Sequence, residues 1–291
     1  MSNTELNEPS RSRGDQPPKD STKYTEALHE KYPSIPVKLT CPCCCDLFVN
    51  KSALKTHVDE QHNVFQQNLE TRTSDWNIHG AYRSDEIDGL KTRCDLISLA
   101  EKSTDPERNV VLAVESLIPA MIDVDLCTIS ENHLAASYVH PVMQSLFSTA
   151  CNNKVSHCSN TLPEVDDATG KRPDYIVDVY ERYQYAYSSC FGEIKIEKAN
   201  DTLKVLDFYR LAIFGRNAIE SHNLNGIICF QTIGSLVTFY YMLPRADFFI
   251  FLEVTSIKIP LVKRDIVSII THLDDMLSLV CLYELIEIPM N

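Results

Sequence analysis

The segment from Phe191 to Glu197 constrains the fold of this chain more than any other part of its sequence. Apolar and charged residues alternate along it, and this period of two predicts a β-strand. In a strand, Glu193 and Lys195 point together from one face, while Ile194 and Ile196 point into the core behind them. The pattern therefore predicts a carboxylate and an ammonium group side by side on a strand whose other face is buried.

The patterns around this segment predict a mixed α/β domain in which helices flank a sheet. Helical spacing is found in 90–101, after Asp105-Pro106, after Ser130 as N-cap, in 200–221 and in 266–286. Strand patterns are found in 175–179, 183–187, 190–197, 227–233, 236–243 and 248–259, with a type II′ turn at Gly234-Ser235. The segment 151–171 has the composition of a loop. We expect the α/β domain to extend over residues 108–291.

Composition and charge limit the cellular compartment and the partners that we expect for the protein. The 291 residues have a formal net charge of −13, which argues against general affinity for nucleic acid but leaves room for a local basic groove. The 11 cysteines are an odd number, and four of them are crowded between Cys41 and Cys45, which indicates a reducing compartment and one metal site. The N-terminus has no apolar signal region. These features predict a nuclear or cytoplasmic protein, with the nucleus favoured, and no membrane partner; the apolar stretch 226–243 is interpreted as two strands.

The clearest motif lies near the N-terminus. Cys41, Cys44, His57 and His62 have the spacing Cys-x2-Cys-x12-His-x4-His, and Phe48 and Leu54 supply a small core. The pattern resembles the two-Cys two-His zinc finger family, a ββα unit, which implies a closed structural zinc site with these four ligands. Cys43 and Cys45 are alternative ligands, but only Cys41 with Cys44 keeps the spacing to the core residues.

The target of the finger is left open by the sequence. The resemblance maps the three base-contacting helix positions to Asn50, Ala53 and Thr56. One finger covers about three base pairs, which is too few for useful specificity. A protein partner is therefore as well supported as nucleic acid. Residues 1–36 are polar and predict a disordered tail, 37–65 contain the finger, and 66–107 are a linker with partial helix.

A second set of candidate site residues lies in and around the segment 191–197. Pro173-Asp174 precedes Glu193-x-Lys195, with 18 residues between Asp174 and Glu193. Together with the helix and strands that follow, this resembles the PD-(D/E)XK, or restriction-endonuclease-like, nuclease superfamily. The resemblance implies that Asp174 and Glu193 hold magnesium and that Lys195 orients or activates the attacking water. Many members add a glutamate from an earlier helix, for which Glu131 is the first choice and Glu115 the second.

Other polar residues have two interpretations. Lys198, Lys204 and Arg210 follow the motif, either as contacts for backbone phosphates or as part of a solvated helix face. Gln231 lies within a strand, either near the metal-bound water or as a hydrogen-bonded core amide. The sequence has no phosphate-binding P-loop, dinucleotide glycine pattern or serine-hydrolase elbow, so those classes are excluded.

Three hypotheses follow for function. In the first, the protein is a magnesium-dependent nuclease, for DNA or RNA, with an N-terminal zinc finger. In the second, it is a finger-bearing regulatory or interaction protein whose nuclease-like fold lacks catalysis. In the third, it is a structural module of a mobile-element-derived protein.

Overall fold

The computed structural model describes residues 39–40, 47–48, 88–123, 129–149, 151–159 and 172–286. Near the N-terminus, the strands β1 (Leu39–Thr40) and β2 (Leu47–Phe48) pair antiparallel. They flank the segment that holds Cys41 and Cys44. The four predicted zinc ligands and the predicted tail lie outside the described residues.

A six-stranded mixed sheet forms the centre of the fold. Its strands are β3 (Lys154–Cys158), β4 (Tyr175–Glu181), β5 (Gln184–Lys195), β6 (Ile227–Ile233), β7 (Leu236–Arg245) and β8 (Phe248–Lys258), and they lie in the sheet in chain order. Neighbouring strands are antiparallel except for β5 and β6, which are parallel. A parallel pair requires a crossover connection, and a long helix supplies it. The α/β class with a mixed sheet and flanking helices is therefore confirmed.

Among the residues that the structure describes, six α-helices accompany the sheet: α1 (Gly89–Glu101), α2 (Asp105–Glu115), α3 (Glu131–Leu134), α4 (His140–Phe147), α5 (Asp201–His222) and α6 (Leu273–Ile286). Two 3₁₀ segments are Ile118–Ala120 and Lys263–His272. The helix α5 is the crossover between β5 and β6. Its N-cap is Asn200, whose side chain accepts a hydrogen bond of 2.8 Å from the Thr202 backbone N–H.

The helices α3 and α4 are joined by a wide π-helical turn at Ala135–Val139. Pro141 explains this turn, because a proline within a helix has no N–H to donate and its ring clashes with the carbonyl four residues earlier. The His140 N–H bonds instead to the Ala135 carbonyl, five residues back, and the chain remains helical through the proline. Ser130 caps α3 as expected, accepting a bond of 3.2 Å from the His133 N–H.

The sheet separates two hydrophobic cores. The larger core lies between one face of the sheet and the helices α1, α2, α4 and α6, and it includes Leu96, Val114, Leu146, Phe230 and Met276. The smaller core lies between the other face and α5, and it includes Ile176, Phe191, Leu211, Phe214 and Cys229. The residues of β5 alternate between these cores, since Phe191 belongs to the α5 side and Ile194 to the other.

Three predictions of secondary structure were wrong in detail. The segment 151–171 was expected to be a loop, but Lys154–Cys158 forms the edge strand β3, which has little alternation of its own and depends on pairing with β4. The segments 183–187 and 190–197 form one strand, β5, with register irregularities opposite β4. The closing helix begins as a 3₁₀ segment at Lys263 and becomes α-helical only at Leu273.

The segment Lys263–Ile286 is long enough to cross a membrane, and an 18-residue window within it has a mean hydropathy of 1.5. Core helices of soluble proteins meet the same two criteria. In this fold, Leu273, Met276, Leu279 and Val280 are buried in the larger core. The apolar stretch 226–243 forms β6 and β7, as predicted. Gly234 has a φ of +61° in the turn between them, and Ser235 keeps a negative φ, which fits the expected type II′ turn.

Candidate functional site

Three chain segments meet at the carboxyl end of β5. Asp174 directly precedes β4, Glu193 and Lys195 lie near the end of β5, and the first half of α5 covers them. Ligand sites in sheets of this kind commonly lie at the carboxyl ends of parallel strands. The neighbouring strand approaches closely, since a Cβ on Gly192 would be 2.1 Å from the Phe230 ring. Glycine is therefore required directly before Glu193.

Asp174 and Lys195 are bound to each other. The Lys195 Nζ donates to Asp174 Oδ2 over 3.2 Å and to the Ile194 carbonyl over 3.0 Å. The same Asp174 oxygen accepts a bond of 2.9 Å from the Ile194 backbone N–H. Asp174 therefore continues the pairing between the two strands with its side chain, and this fixes its carboxylate beside Lys195.

Glu131 approaches the same ammonium group from the first turn of α3. Its Oε2 lies 3.8 Å from the Lys195 Nζ, and its side chain is half exposed. Glu115, the second choice for a helix glutamate, instead forms an ion pair with Arg93 on α1. Of the two candidates, only Glu131 lies beside the β5 residues.

Glu193 is fully buried, with no accessible surface. Burial raises the pKa of Glu193 to about 9, and the neighbouring Asp174 and Asp207 charges add to this rise while Arg210 opposes it. A hydrogen bond between the Glu193 and Asp174 carboxyl groups also favours the protonated form. In the absence of a further cation, Glu193 is therefore neutral at pH 7.

The helix α5 contributes two charged residues to this cluster. Asp207 is 4% exposed, and its Oδ2 lies 3.3 Å from the Lys195 Nζ. The Arg210 guanidinium bonds to Asp207 over 2.8 Å and lies 3.2 Å from Glu193 Oε1. The carboxylates raise the pKa of Lys195 although its burial acts in the opposite direction.

Asp207 was not among the predicted site residues. Arg210 was predicted either to contact phosphates or to lie on a solvated helix face. A signal for both was present in the helical spacing. Asp207 and Arg210 are in phase with Leu211 and Phe214, which face the sheet, and a charge in phase with a buried stripe requires a partner in the interior.

The remaining polar candidates lie at the rim of the site. Gln231 pairs with Glu193 across β5 and β6, and its amide donates over 2.7 Å to the Lys204 carbonyl. It therefore has the bonding of a core amide. Lys204 forms an ion pair of 3.0 Å with Asp201, and Lys198 is exposed.

The charges of the cluster do not balance. Glu131, Asp174, Glu193 and Asp207 are four carboxylates, and Lys195 and Arg210 are two cations, so the formal sum is −2 when all are ionised. Glu193 Oε1 and Asp207 Oδ2 are buried without a hydrogen-bond partner. Each of these oxygens lies at ion-pair distance from a cation, Arg210 or Lys195, and carboxylate oxygens are also the ligands that a hard divalent cation prefers.

The described residues contain no cluster of three or more His, Cys, Asp or Glu side chains arranged to hold a metal ion. Magnesium is commonly bound through only one or two carboxylates, with water and substrate phosphates completing its shell. The pair Asp174 and Glu193 fits that smaller requirement.

Comparisons with protein-family models, curated proteins and solved structures found no match. The residues of the candidate site and their geometry are therefore the basis for a proposed function.

Proposed function

We propose that this protein is a divalent-metal-dependent phosphodiesterase of the restriction-endonuclease-like type, acting on nucleic acid. The observation that carries the proposal is the convergence of Asp174, Glu193, Lys195 and Glu131, which come from three separate parts of the chain. The elements around them are a helix, three antiparallel strands, a crossover helix and a parallel strand. Their mixed sheet with flanking helices supports the resemblance to this superfamily.

Asp174 and Glu193 would hold a magnesium ion through their oxygens. When bound, the metal would polarise the phosphate and lower the pKa of a bound water. A cation beside Glu193 also removes the reason for its raised pKa, because a positive charge favours the ionised carboxylate. The site therefore fits the ion electrostatically, with Glu193 changing from its neutral to its charged form.

Lys195 and the α5 residues have distinct roles in this proposal. The Lys195 ammonium orients the attacking water and offsets the negative charge that develops on the phosphate oxygens. Asp207 and Arg210 hold Lys195 and Glu193 in place from the sheet-facing side of α5. Glu131, half exposed at the mouth of the site, accepts a hydrogen bond from water or contributes to metal binding.

The test is cleavage of plasmid DNA, single-stranded DNA and RNA by the full chain with magnesium or manganese. Asp174→Asn and Lys195→Met are expected to reduce cleavage at least about 100-fold, since each removes a charge that acts on the transition state. Asp265→Asn, an exposed position on the 3₁₀ segment, is the matched control and should retain activity. Cleavage that persists in both site variants contradicts the proposal.

A non-catalytic role is favoured by one specific observation. Lys195 and Arg210 already form ion pairs with the carboxylates, as in a site that has become structural. In that case the chain binds nucleic acid or a protein without cutting, and magnesium does not stabilise it. A magnesium-dependent rise in melting temperature that is lost in Asp174→Asn supports the catalytic proposal and excludes this alternative.

We also propose a structural zinc ion bound by Cys41, Cys44, His57 and His62. The support is the ligand spacing and the antiparallel pairing of β1 and β2 on either side of the cysteines. Metal analysis of the purified chain should find one zinc per chain, and none in Cys44→Ser with His57→Ala. Zinc that remains in this double variant contradicts the assignment.

A further inference from the structure

The outward face of α5 carries an apolar stripe where charged residues are normal. Val205, Tyr209 and Ile213 are 54%, 62% and 43% exposed. They are spaced four residues apart, so they lie along one line of the helix. Leu206 is exposed beside them. A surface helix usually presents polar side chains on this face, so the stripe indicates a contact surface.

This stripe is separate from the candidate site. Asp207, Leu211 and Phe214 lie on the opposite side of α5, against the sheet. The exposed fractions show that no described residue covers Val205, Tyr209 or Ile213. An occupant of this face therefore need not touch the carboxylate cluster.

The stripe is symmetric in composition about Tyr209. Val205 precedes it by four residues and Ile213 follows it by four. Asp201 lies at one end of the stripe, in the first turn, and Arg216 lies at the other end, seven residues after Tyr209. Both ends are exposed, and their side chains form surface ion pairs with Lys204 and Glu220 of the same helix.

This symmetry matches the requirement for a twofold contact. In a dimer with a twofold axis the same patch faces itself, so the patch must be complementary to its own reversed copy. With the axis at Tyr209, two antiparallel α5 helices place Val205 against the partner's Ile213. They also place Asp201 near the partner's Arg216. The apolar centre of each helix therefore faces apolar residues of the other. Asp201 of each helix lies near Arg216 of the other.

We propose that the outer face of α5 docks a second copy of this chain, with the two α5 helices antiparallel about Tyr209. The helix has 22 residues and is about 33 Å long. The apolar stripe lies within this length, and the whole stripe takes part in the contact. The proposal is independent of the hydrolytic function, because the site is on the other side of the helix.

The experiment is sedimentation velocity of the full chain over a range of micromolar concentrations. The wild-type chain is expected to dimerise. Tyr209→Glu should raise the dimer dissociation constant more than about tenfold, because the twofold axis brings two carboxylates together in an apolar centre. Leu90→Glu is the matched control, since Leu90 is also an exposed apolar residue on a helix, 71% exposed, and should leave the dimer unchanged.

A charge exchange tests the antiparallel orientation. Arg216→Asp alone should weaken the dimer, because it faces the partner's Asp201, and adding Asp201→Arg should restore it. Circular dichroism of each variant checks that the helix content is retained.

Several outcomes would overturn the docking proposal. These are a monomeric wild-type chain, a dimer that tolerates Tyr209→Glu, and a double exchange that restores nothing. A monomer in which Tyr209→Cys takes up no more maleimide than the wild-type chain places another segment of the same chain on this face, and also overturns the proposal.

Discussion

At the scale of single residues, the environment of Glu193 determines the chemistry of the site. A carboxyl group with no accessible surface, next to Asp174 and Asp207, keeps its proton at neutral pH. Arg210 offsets part of this effect, but two buried carboxylate oxygens still make no hydrogen bond. A bound cation would favour the ionised form of Glu193.

Glu193 should make the stability of the metal-free protein depend on pH. The pKa of Glu193 is about 9 in the folded chain and is close to its ordinary value of 4.5 when unfolded. Between these values the folded state binds the extra proton, so stability falls as pH rises, by at most about 1.4 kcal/mol per pH unit. Glu193→Gln removes this contribution.

Urea denaturation from pH 5 to pH 8.5, with a chelator present, measures the difference. The wild-type chain should lose stability relative to Glu193→Gln as pH increases. Glu220→Gln, at an exposed position on α5 itself, controls for the loss of one surface charge. Parallel curves for wild type and Glu193→Gln would refute the assignment.

Arg210 should contribute more to stability than a surface arginine of the same helix. Arg210→Met leaves the buried Asp207 carboxylate without its closest partner, at a cost of about 3 kcal/mol. Arg216→Met removes only a surface pair with Glu220 and should cost less than about 0.5 kcal/mol. Chemical denaturation at pH 7 compares the two variants, and equal costs would show that the buried pair has no special importance.

At the scale of elements, helix ends and turns set the positions of the site residues. The π-helical turn at Ala135–Val139 lets the helix pass through Pro141 while Glu131 stays in its first turn beside Lys195. The helix α5 begins at Asn200, a few residues after Lys195, so it returns over the end of β5 and brings Asp207 and Arg210 onto Glu193.

The cap of α5 should therefore affect both stability and the site. Asn200→Ala removes the hydrogen bond to the Thr202 N–H and is expected to cost about 1 kcal/mol. Asn200→Asp keeps an acceptor at the same position and should cost much less. Thermal unfolding checks the order of the two variants, and an unchanged melting temperature in Asn200→Ala would show that the cap is not needed.

At the scale of the whole molecule, one sheet organises two cores and one polar cluster. The strands β5 and β6 are covered on one side by α5, and on the other side they contribute to the larger core. Burial on both sides removes water from the end of β5, which is why the charges there interact strongly. The formal net charge of −13 says little about this location, since it is a sum over the whole chain.

Local patterns were enough to predict the α/β class, most helices and strands, and the alternation that places Glu193 and Ile194 on opposite faces of β5. These depend on side-chain periodicity and on caps, which are properties of neighbouring residues. They were not enough for β3, which has little pattern of its own and exists because β4 pairs with it.

The tertiary structure decided what surrounds Glu193 and Lys195. The alternation in 191–197 predicts that both side chains share a face. It does not predict that α5 covers this face and buries Glu193 completely. Packing also determined the ion pairs that Lys195 and Glu193 form with Asp207 and Arg210. It placed Glu131 beside Lys195 and Glu115 beside Arg93, and it left the apolar stripe of α5 exposed. Periodicity shows which residues point the same way, whereas only the packing of distant segments determines what they meet.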